Sequence, residues 1–565
     1  MLQPETIMAA FWQRVEADGE RPAIHIKDRG TFRPRTWMTL ADDVSRLGLW
    51  LRQQGVQPGD RVMQWSKNRY EWIVTDLATQ LVRAVHVPVH APLSAAQAIY
   101  QATHSGAKLA ILGGADEVDK LHAANAHFPK DMPVYAYDAI PFTSSPIGHL
   151  PPQLASLDAP GHGPAAASLR EEALVQTRPD DLATILYTSG TTGEPKGVML
   201  CQSNIMSNVL AVLAAFDERA EDLRLAFLPL SHIFARTCDL YTWIARGSQL
   251  ALAENRETIV ADSQAFRPTL INGVPYFYER VQNHLVQAGL ADVPDALRNY
   301  LGGRLRGCCS GGAALSAHSY DFFAERGVPL LQGYGLTETS PVISLSSPHC
   351  ERRLAVGKPL PNVEVKIADD GEILTRGPHV MPGYWNDLAA TEQILQAGWL
   401  HTGDLGQLDT DGFLFITGRK KELIVTATGK NIAPSLVESL LCRDPLIEQA
   451  MVLGDDRAFL SALIVPNKEH LKEEIARQRL WVWSKRRALN HPKVLALYAV
   501  RIERQLAELS HDEQVRRFVL VDRGFTLEGG HITPKASLRR DRIAADFARE
   551  IERLDHPTKR KKAEP

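Results

Sequence analysis

Residues 182–197 read LATILYTSGTTGEPKG, and no other stretch constrains the fold so strongly. Residues 182–186 are apolar and strand-like. The eleven residues after them hold three glycines, four serines or threonines and one lysine. A strand must therefore end in a loop that can turn its backbone N–H groups toward an anion. Gly190 and Gly193 allow that turn. Thr188, Ser189, Thr191 and Thr192 carry hydroxyl donors, and Lys196 adds a compact positive charge. The chemistry is that of a polyphosphate cradle. The spacing G-x-x-x-x-G-K-[ST] is absent, so this is not a P-loop of the Walker type. An ordinary Gly/Ser/Thr surface loop is the bland alternative, and the order and density of these residues argue against it.

A chain of 565 residues exceeds what one hydrophobic core usually organises, so two or more domains are expected. The net charge of −3 argues against a general nucleic-acid binder. The six cysteines form no C-x-x-C pair, and Cys308 and Cys309 are adjacent. A reduced, cytoplasmic setting fits that usage. The first twenty residues carry early acids and lack a signal-type apolar core. No apolar run reaches spanning length, which leaves peripheral membrane contact open. The basic end HPTKRKKAEP reads first as a solvated terminus, with an anionic membrane surface as the alternative.

The pattern along the chain alternates. Residues 40–54 and 70–82 read as helices, and 61–65 and 84–89 as strands, a rhythm that predicts α/β layers with parallel strands. Residues 141–169, rich in Pro, Ser, Ala and Gly, read as a surface connector. A second α/β pass has helices at 204–216 and 261–266 and strands at 225–229 and 269–274. Between 357 and 415, short runs (VEVKI, EILTR, GQLDT, FLFIT) broken by Gly, Asp and Pro suit a small β-rich unit. Residues 468–509 are charged and helical in pattern.

Other segments carry chemistry. Residues 332–339 read QGYGLTET, where Tyr334 offers an aromatic face for a purine. Glu338 offers a carboxylate that needs a hard cation beside phosphates. Residues 310–313 are SGGA, with Gly311 and Gly312 permitting close backbone approach. Residues 399–404 are WLHTGD, and Asp404 could accept from a vicinal diol. ITGRKKEL (416–423), GKNIAP (429–434) and LPLSHIFAR (228–236) complete the set. Each alone could be a turn, a cap or a solvated loop. Together, in this order, they resemble the adenylate-forming superfamily, and the chain is most similar to its long-chain fatty acyl-CoA synthetases.

The resemblance implies an α/β adenylate-forming fold. Residues 1–418 would form a large domain of α/β layers with a β-rich subdomain, and 419–565 a smaller, mobile α+β domain. It implies an AMP-forming ligase that joins a fatty acid to CoA through an acyl-adenylate, with ATP, CoA and Mg²⁺. Thr188, Ser189, Gly190, Thr191, Thr192, Gly193 and Lys196 would hold phosphates. Gly311, Gly312, Tyr334 and Gly335 would frame the adenine, Thr337 would reach the α-phosphate, and Glu338 and Thr188 would serve Mg²⁺. Asp404 would take the ribose, Arg419 the nucleotide, His232 the acyl carboxylate, Lys421 the hinge and Gly429 the pantetheine. Oligomeric state is not implied.

One departure stands out. Relatives of this type end in a form like LTPTLKLRR, with a lysine that promotes adenylation. This chain reads ITPKASLRR, residues 532–540, so Ser537 occupies the lysine's place. Lys535 lies two residues earlier, on the same face of an extended segment and about 6–7 Å away. It either substitutes for the missing cation or is a solvated loop residue. Three rivals remain: a different acid or acceptor, a nucleotide- or acyl-adenylate-binding protein with impaired adenylation, and a P-loop phosphotransferase, which the missing Walker spacing disfavours.

Overall fold

The computed structural model describes residues 3–138, 147–149, 161–188, 194–255, 257–427, 430–478, 480, 485–526, 529–532 and 538–555. Two large sheets dominate. In the first, strands Val85–His90, Arg61–Ser66, Ala107–Leu112 and Val134–Ala136 run parallel, and Leu182–Thr188 joins them parallel to Val85–His90. Lys196–Cys201 then turns back antiparallel to Leu182–Thr188. In the second, Gln249–Leu252, Leu223–Ala226, Leu270–Gly273, Gly307–Ser310 and Leu330–Gly335 form a parallel run. Strands buried on both faces explain these short, apolar segments.

Helix Tyr70–Leu81 is buried along its length except at Glu71. An apolar helix with so little polar face belongs in an interior. Its one fully buried carboxylate, Asp76, is paired with Arg236 and accepts from the Tyr241 hydroxyl at 2.8 Å. Arg236 also donates to the Thr184 hydroxyl at 2.8 Å, and all of these groups are buried. The network ties this helix and the first sheet to the segment that follows the second sheet's strand Leu223–Ala226. Removing one member would strand a buried charge, at a cost of about 3–5 kcal/mol.

The helix expected at 40–54 runs Trp37–Gln53, started by Thr36, whose hydroxyl accepts from the Thr39 amide. The strand expected at 225–229 is instead Leu223–Ala226; Pro229 lies outside it, as its missing N–H would favour. The connector reading of 141–169 needs correction among the described residues. Ile147–His149 pairs in parallel with Val134–Ala136. Pro164–Gln176 is a helix that buries Ala166, Leu169 and Ala173. Small apolar residues made that stretch look like a linker, and packing made part of it a helix.

The β-rich unit is as expected, with strands Glu364–Ile367, Glu372–Arg376, Trp399–Leu408 and Leu414–Arg419 in one sheet. Arg419 is the last residue of that sheet. Beyond it lies a three-stranded sheet of Ile447–Leu453, Leu460–Pro466 and Val515–Leu520. The last two are parallel, so a long crossover is required, and the helices Lys468–Arg477, Lys485–Leu489 and Pro492–Gln505 supply it. Among the described residues, no helix is long and apolar enough to cross a membrane.

His379 sits under the turn that carries Glu338. Its carbonyl accepts from the Ser340 hydroxyl at 2.9 Å, and its ring meets the Thr375 hydroxyl at 3.0 Å. Burial pushes its pKa down from 6.5 to about 4. The folded state thus resists the protonation that the unfolded chain accepts. The stability this group provides is complete above pH 6.5 and is lost as pH falls toward 4. Wild type should lose about 2–4 kcal/mol more than His379→Gln across that window. Unfolding titrations of both proteins check this, and parallel curves would refute it.

Candidate active site

The carboxyl ends of the two sheets converge, the usual place for ligands in open α/β sheets. Thr188 ends one strand and pairs with Lys196 across the phosphate hairpin. Ser189, Gly190, Thr191, Thr192 and Gly193 lie outside the described residues. The Lys196 ammonium stands 5.1 Å from the centroid of the Tyr384 ring. The hydroxyl of Tyr384 donates to Glu338 Oε1 at 2.8 Å. One side chain thus joins the lysine of one sheet to the carboxylate of the other. Gly383–Tyr384 is held there by antiparallel pairing to Val198 and Met199.

Sequence reasoning missed Tyr384. The segment GYWND offers no phosphate-type pattern, and the one available signal was two aromatics after a Pro-Gly turn.

The second cluster brings together Tyr334, Asp404 and Arg419. The Tyr334 hydroxyl donates to Asp404 Oδ2 at 2.8 Å, and Arg419 reaches Asp404 Oδ1 at 2.8 Å. Asp404 and Arg419 are direct partners in neighbouring strands. Burial pushes the Asp404 carboxyl up, against the downward pull of the Arg419 guanidinium. Gly311 and Gly312 follow strand Gly307–Ser310, whose Ser310 pairs with Gln332, two residues before Tyr334. A Cβ on Gly311 would meet the Phe234 ring at 3.0 Å, and Gly312 has φ of +81°. Gly335 has a sharper need: its Cβ would lie 1.7 Å from the Pro341 carbonyl oxygen. Thr337 and Glu338 sit in the 3₁₀ turn Thr337–Thr339, both half-buried.

His232 lies in the loop after Leu223–Ala226, its ring 4.5 Å from that of His90. His90 ends the strand beside Leu182–Thr188. Asn68 clamps this loop: its amide donates to Leu228 O at 2.7 Å and accepts from Leu230 N at 2.9 Å. Lys421 is exposed in the turn Lys420–Glu422, while Lys420 pairs with Asp370 at 2.6 Å and Glu372 at 3.0 Å. Glu372 also accepts from the Gly403 amide at 2.9 Å, so one carboxylate holds both Lys420 and the residue before Asp404. Gly429, Lys535 and Ser537 lie outside the described residues.

The geometry joins Lys196 to Glu338 through Tyr384, and Tyr334 to Arg419 through Asp404. The sequence profile of the AMP-binding enzyme family matches residues 11–385, two-thirds of the chain. The chain belongs to the AMP-binding enzyme family.

The C-terminal-domain profile of AMP-binding enzymes matches residues 421–557. This AMP-binding enzyme is 33% identical to a long-chain-fatty-acid–CoA ligase of Mycobacterium tuberculosis, over 93% of each chain. It is 28% identical to a peroxisomal long chain acyl-CoA synthetase of Arabidopsis thaliana, covering 92% of this chain and 82% of that one. Its fold matches an anthranilate CoA ligase in complex with anthranoyl-AMP, with a TM-score of 0.77 at 18% identity, over 97% and 98% of the two chains. It also matches a fatty acyl CoA synthetase of Mycobacterium tuberculosis, with a TM-score of 0.67 at 21% identity, over 96% and 99%. The α/β adenylate-forming fold is therefore the fold of this AMP-binding enzyme.

Tyr384 in this AMP-binding enzyme should report on the junction. Tyr384→Phe keeps the ring under Lys196 and removes the hydroxyl on Glu338. Turnover should fall by roughly tenfold, the scale of losing one hydrogen bond to a charged group. Steady-state kinetics at varied Mg²⁺ check this, and unchanged kinetics would remove Tyr384 from the site.

Proposed function

We propose that this AMP-binding enzyme is a long-chain fatty acid:CoA ligase. It joins ATP, a fatty acid and CoA into acyl-CoA, AMP and pyrophosphate, through an acyl-adenylate. The observation that carries the reading is the line Lys196, Tyr384, Glu338, which brings a phosphate-loop cation and a carboxylate to opposite sides of one ring. The named relatives supply the substrate class.

Each residue has a role in this proposal. Thr188, Lys196 and the hairpin between them hold the phosphates. Tyr334, Gly311, Gly312 and Gly335 frame the adenine, Thr337 meets the α-phosphate, and Asp404 and Arg419 take the ribose end. His232 stands at the acyl carboxylate. Rotation about Lys421 exchanges the two half-reactions, with 419–565 as the moving domain, and brings Gly429 to the pantetheine.

The donors suit Mg²⁺. Glu338 and Thr188 offer oxygen only, and Mg²⁺ prefers one or two carboxylates, waters and substrate phosphates to a full protein cage. When bound, it neutralises phosphate charge. Cytoplasmic placement rests on the six free cysteines.

A second reading rests on Ser537: a protein that binds ATP or acyl-adenylate but forms the adenylate poorly. One measurement separates the two. Pyrophosphate release against fatty acids of graded length, with and without CoA, should be acid-dependent. Nucleotide binding without release would favour the second reading.

A further inference from the structure

The phosphate hairpin stands on two feet, Tyr187 before it and Pro195 after it. Both feet are gripped by one helix that no sequence motif marks. Ala95–Ser105 begins with a capping box, in which the Ser94 hydroxyl accepts from the Gln97 amide. It ends at Gly106, which is left-handed with φ of 63°. Tyr100 and His104 are four residues apart on this helix and share a face. Their rings stack at 5.4 Å.

His104 Nδ1 lies 2.8 Å from the Tyr187 hydroxyl. The Tyr100 hydroxyl donates to the Pro195 carbonyl at 3.3 Å. The Tyr100 and His104 rings both meet Tyr187 edge-on, at 6.3 and 5.7 Å. A third contact closes the grip. Trp385 Nε1 donates to the His104 carbonyl at 3.1 Å, and the Trp385 amide donates to the Gly197 carbonyl at 2.7 Å. Trp385 adjoins Tyr384, which touches Lys196 and Glu338. Gly197 leaves no slack, since a Cβ there would meet Ile185 at 2.8 Å and Trp385 at 3.2 Å.

Thr188 and Lys196 adjoin these two feet and pair directly across the strands. Feet held at a set separation remove part of the cost of ordering those two residues before the nucleotide arrives. We propose that His104 and Tyr100 are positioning residues of the ATP site, which hold Thr188 and Lys196 in place by fixing Tyr187 and Pro195. This rests on the reading of Thr188 and Lys196 as phosphate-binding residues.

The test uses ATP with Mg²⁺, titrated calorimetrically into the full-length protein without fatty acid. His104→Ala should weaken ATP binding by tenfold or more. His104→Asn places an amide near the Nδ1 position and should restore binding to within threefold of wild type. Tyr187→Phe removes the same bond from the other side, so the double variant should bind no worse than His104→Ala. Tyr100→Phe is the gentler change and should weaken ATP by a few-fold. CoA-dependent conversion of supplied acyl-adenylate should stay within twofold of wild type in all variants, which a general loss of structure would not allow. ATP affinity unchanged in His104→Ala and Tyr100→Phe would overturn the proposal. So would an Asn variant as weak as Ala, or a parallel loss of the thioester step. Failure of the functional reading has a separate signature: wild type that binds ATP but releases no pyrophosphate with any fatty acid.

Discussion

Glu338→Gln should lower Mg²⁺-dependent acyl-adenylate formation by roughly 10²–10³-fold, the scale of removing one electrostatic stabiliser from a transition state. The substitution isolates charge. Gln keeps an Oε1 that can accept the Tyr384 hydroxyl, now at 2.8 Å, so the hydrogen bond survives and only the negative charge is lost. Glu338 is half-buried in the short turn Thr337–Thr339, and an isosteric amide strands no buried partner there. The melting temperature should therefore stay within a few degrees of wild type. Pyrophosphate release measured at several Mg²⁺ concentrations checks the prediction. Wild-type turnover in the variant would sink the assignment of Glu338 to the metal.

Ser537→Lys should accelerate pyrophosphate release by roughly two decades and leave the thioester step nearly unchanged. Adenylation drives a carboxylate against the α-phosphate, and two anions approach each other. A lysine between them offsets the repulsion, and a serine offers one hydrogen bond without charge. The thioester step starts from acyl-adenylate, whose AMP is already a good leaving group. Lys535→Ala separates two local accounts. If Lys535 substitutes for the missing cation, its removal abolishes the remaining adenylation. If it is a solvated loop residue, the change is nearly silent. Fast adenylation that survives Lys535→Ala would place the cation elsewhere.

Ile532 and Leu538 form an antiparallel bridge, and the Arg539 amide donates to the His531 carbonyl at 2.7 Å. Arg540 pairs with Glu438 through two bonds of 2.8 and 2.7 Å. Glu438 lies on the helix Pro434–Leu441, whose first residue is the last of the GKNIAP segment. The residues on either side of 533–537 are thus tied, and the effects of substitutions at 535 and 537 should be local.

The motifs were legible because each is contiguous. A glycine-rich turn, an aromatic beside a carboxylate and a basic hinge depend on neighbours in sequence, and local chemistry decides them. The alternation of short apolar strands with amphipathic helices was legible for the same reason: periodicity is a local property. Pairings across the fold were not. Tyr384 lies 46 residues from Glu338 and 188 from Lys196 in sequence order, and only strand pairing to Val198 brings it between them. His104 and Tyr100 sit on a helix of ordinary composition, and their meaning comes from the hairpin they face. Residues 164–169 read as part of a linker because their alanines carry little periodic signal, yet burial of Ala166, Leu169 and Ala173 places them in the helix Pro164–Gln176.

By itself, then, the sequence determined the family, the order of the motifs and the charge change at Ser537, all of which are written in adjacent residues. Tertiary structure decided which side chains join those motifs: Tyr384 between Lys196 and Glu338, Asp404 between Tyr334 and Arg419, and Glu372 between Lys420 and Gly403. The physical reason is that a hydrogen bond or ion pair depends on separation in space. Sheet register and the meeting of two sheet edges set that separation, and neither is encoded in any single stretch of the chain.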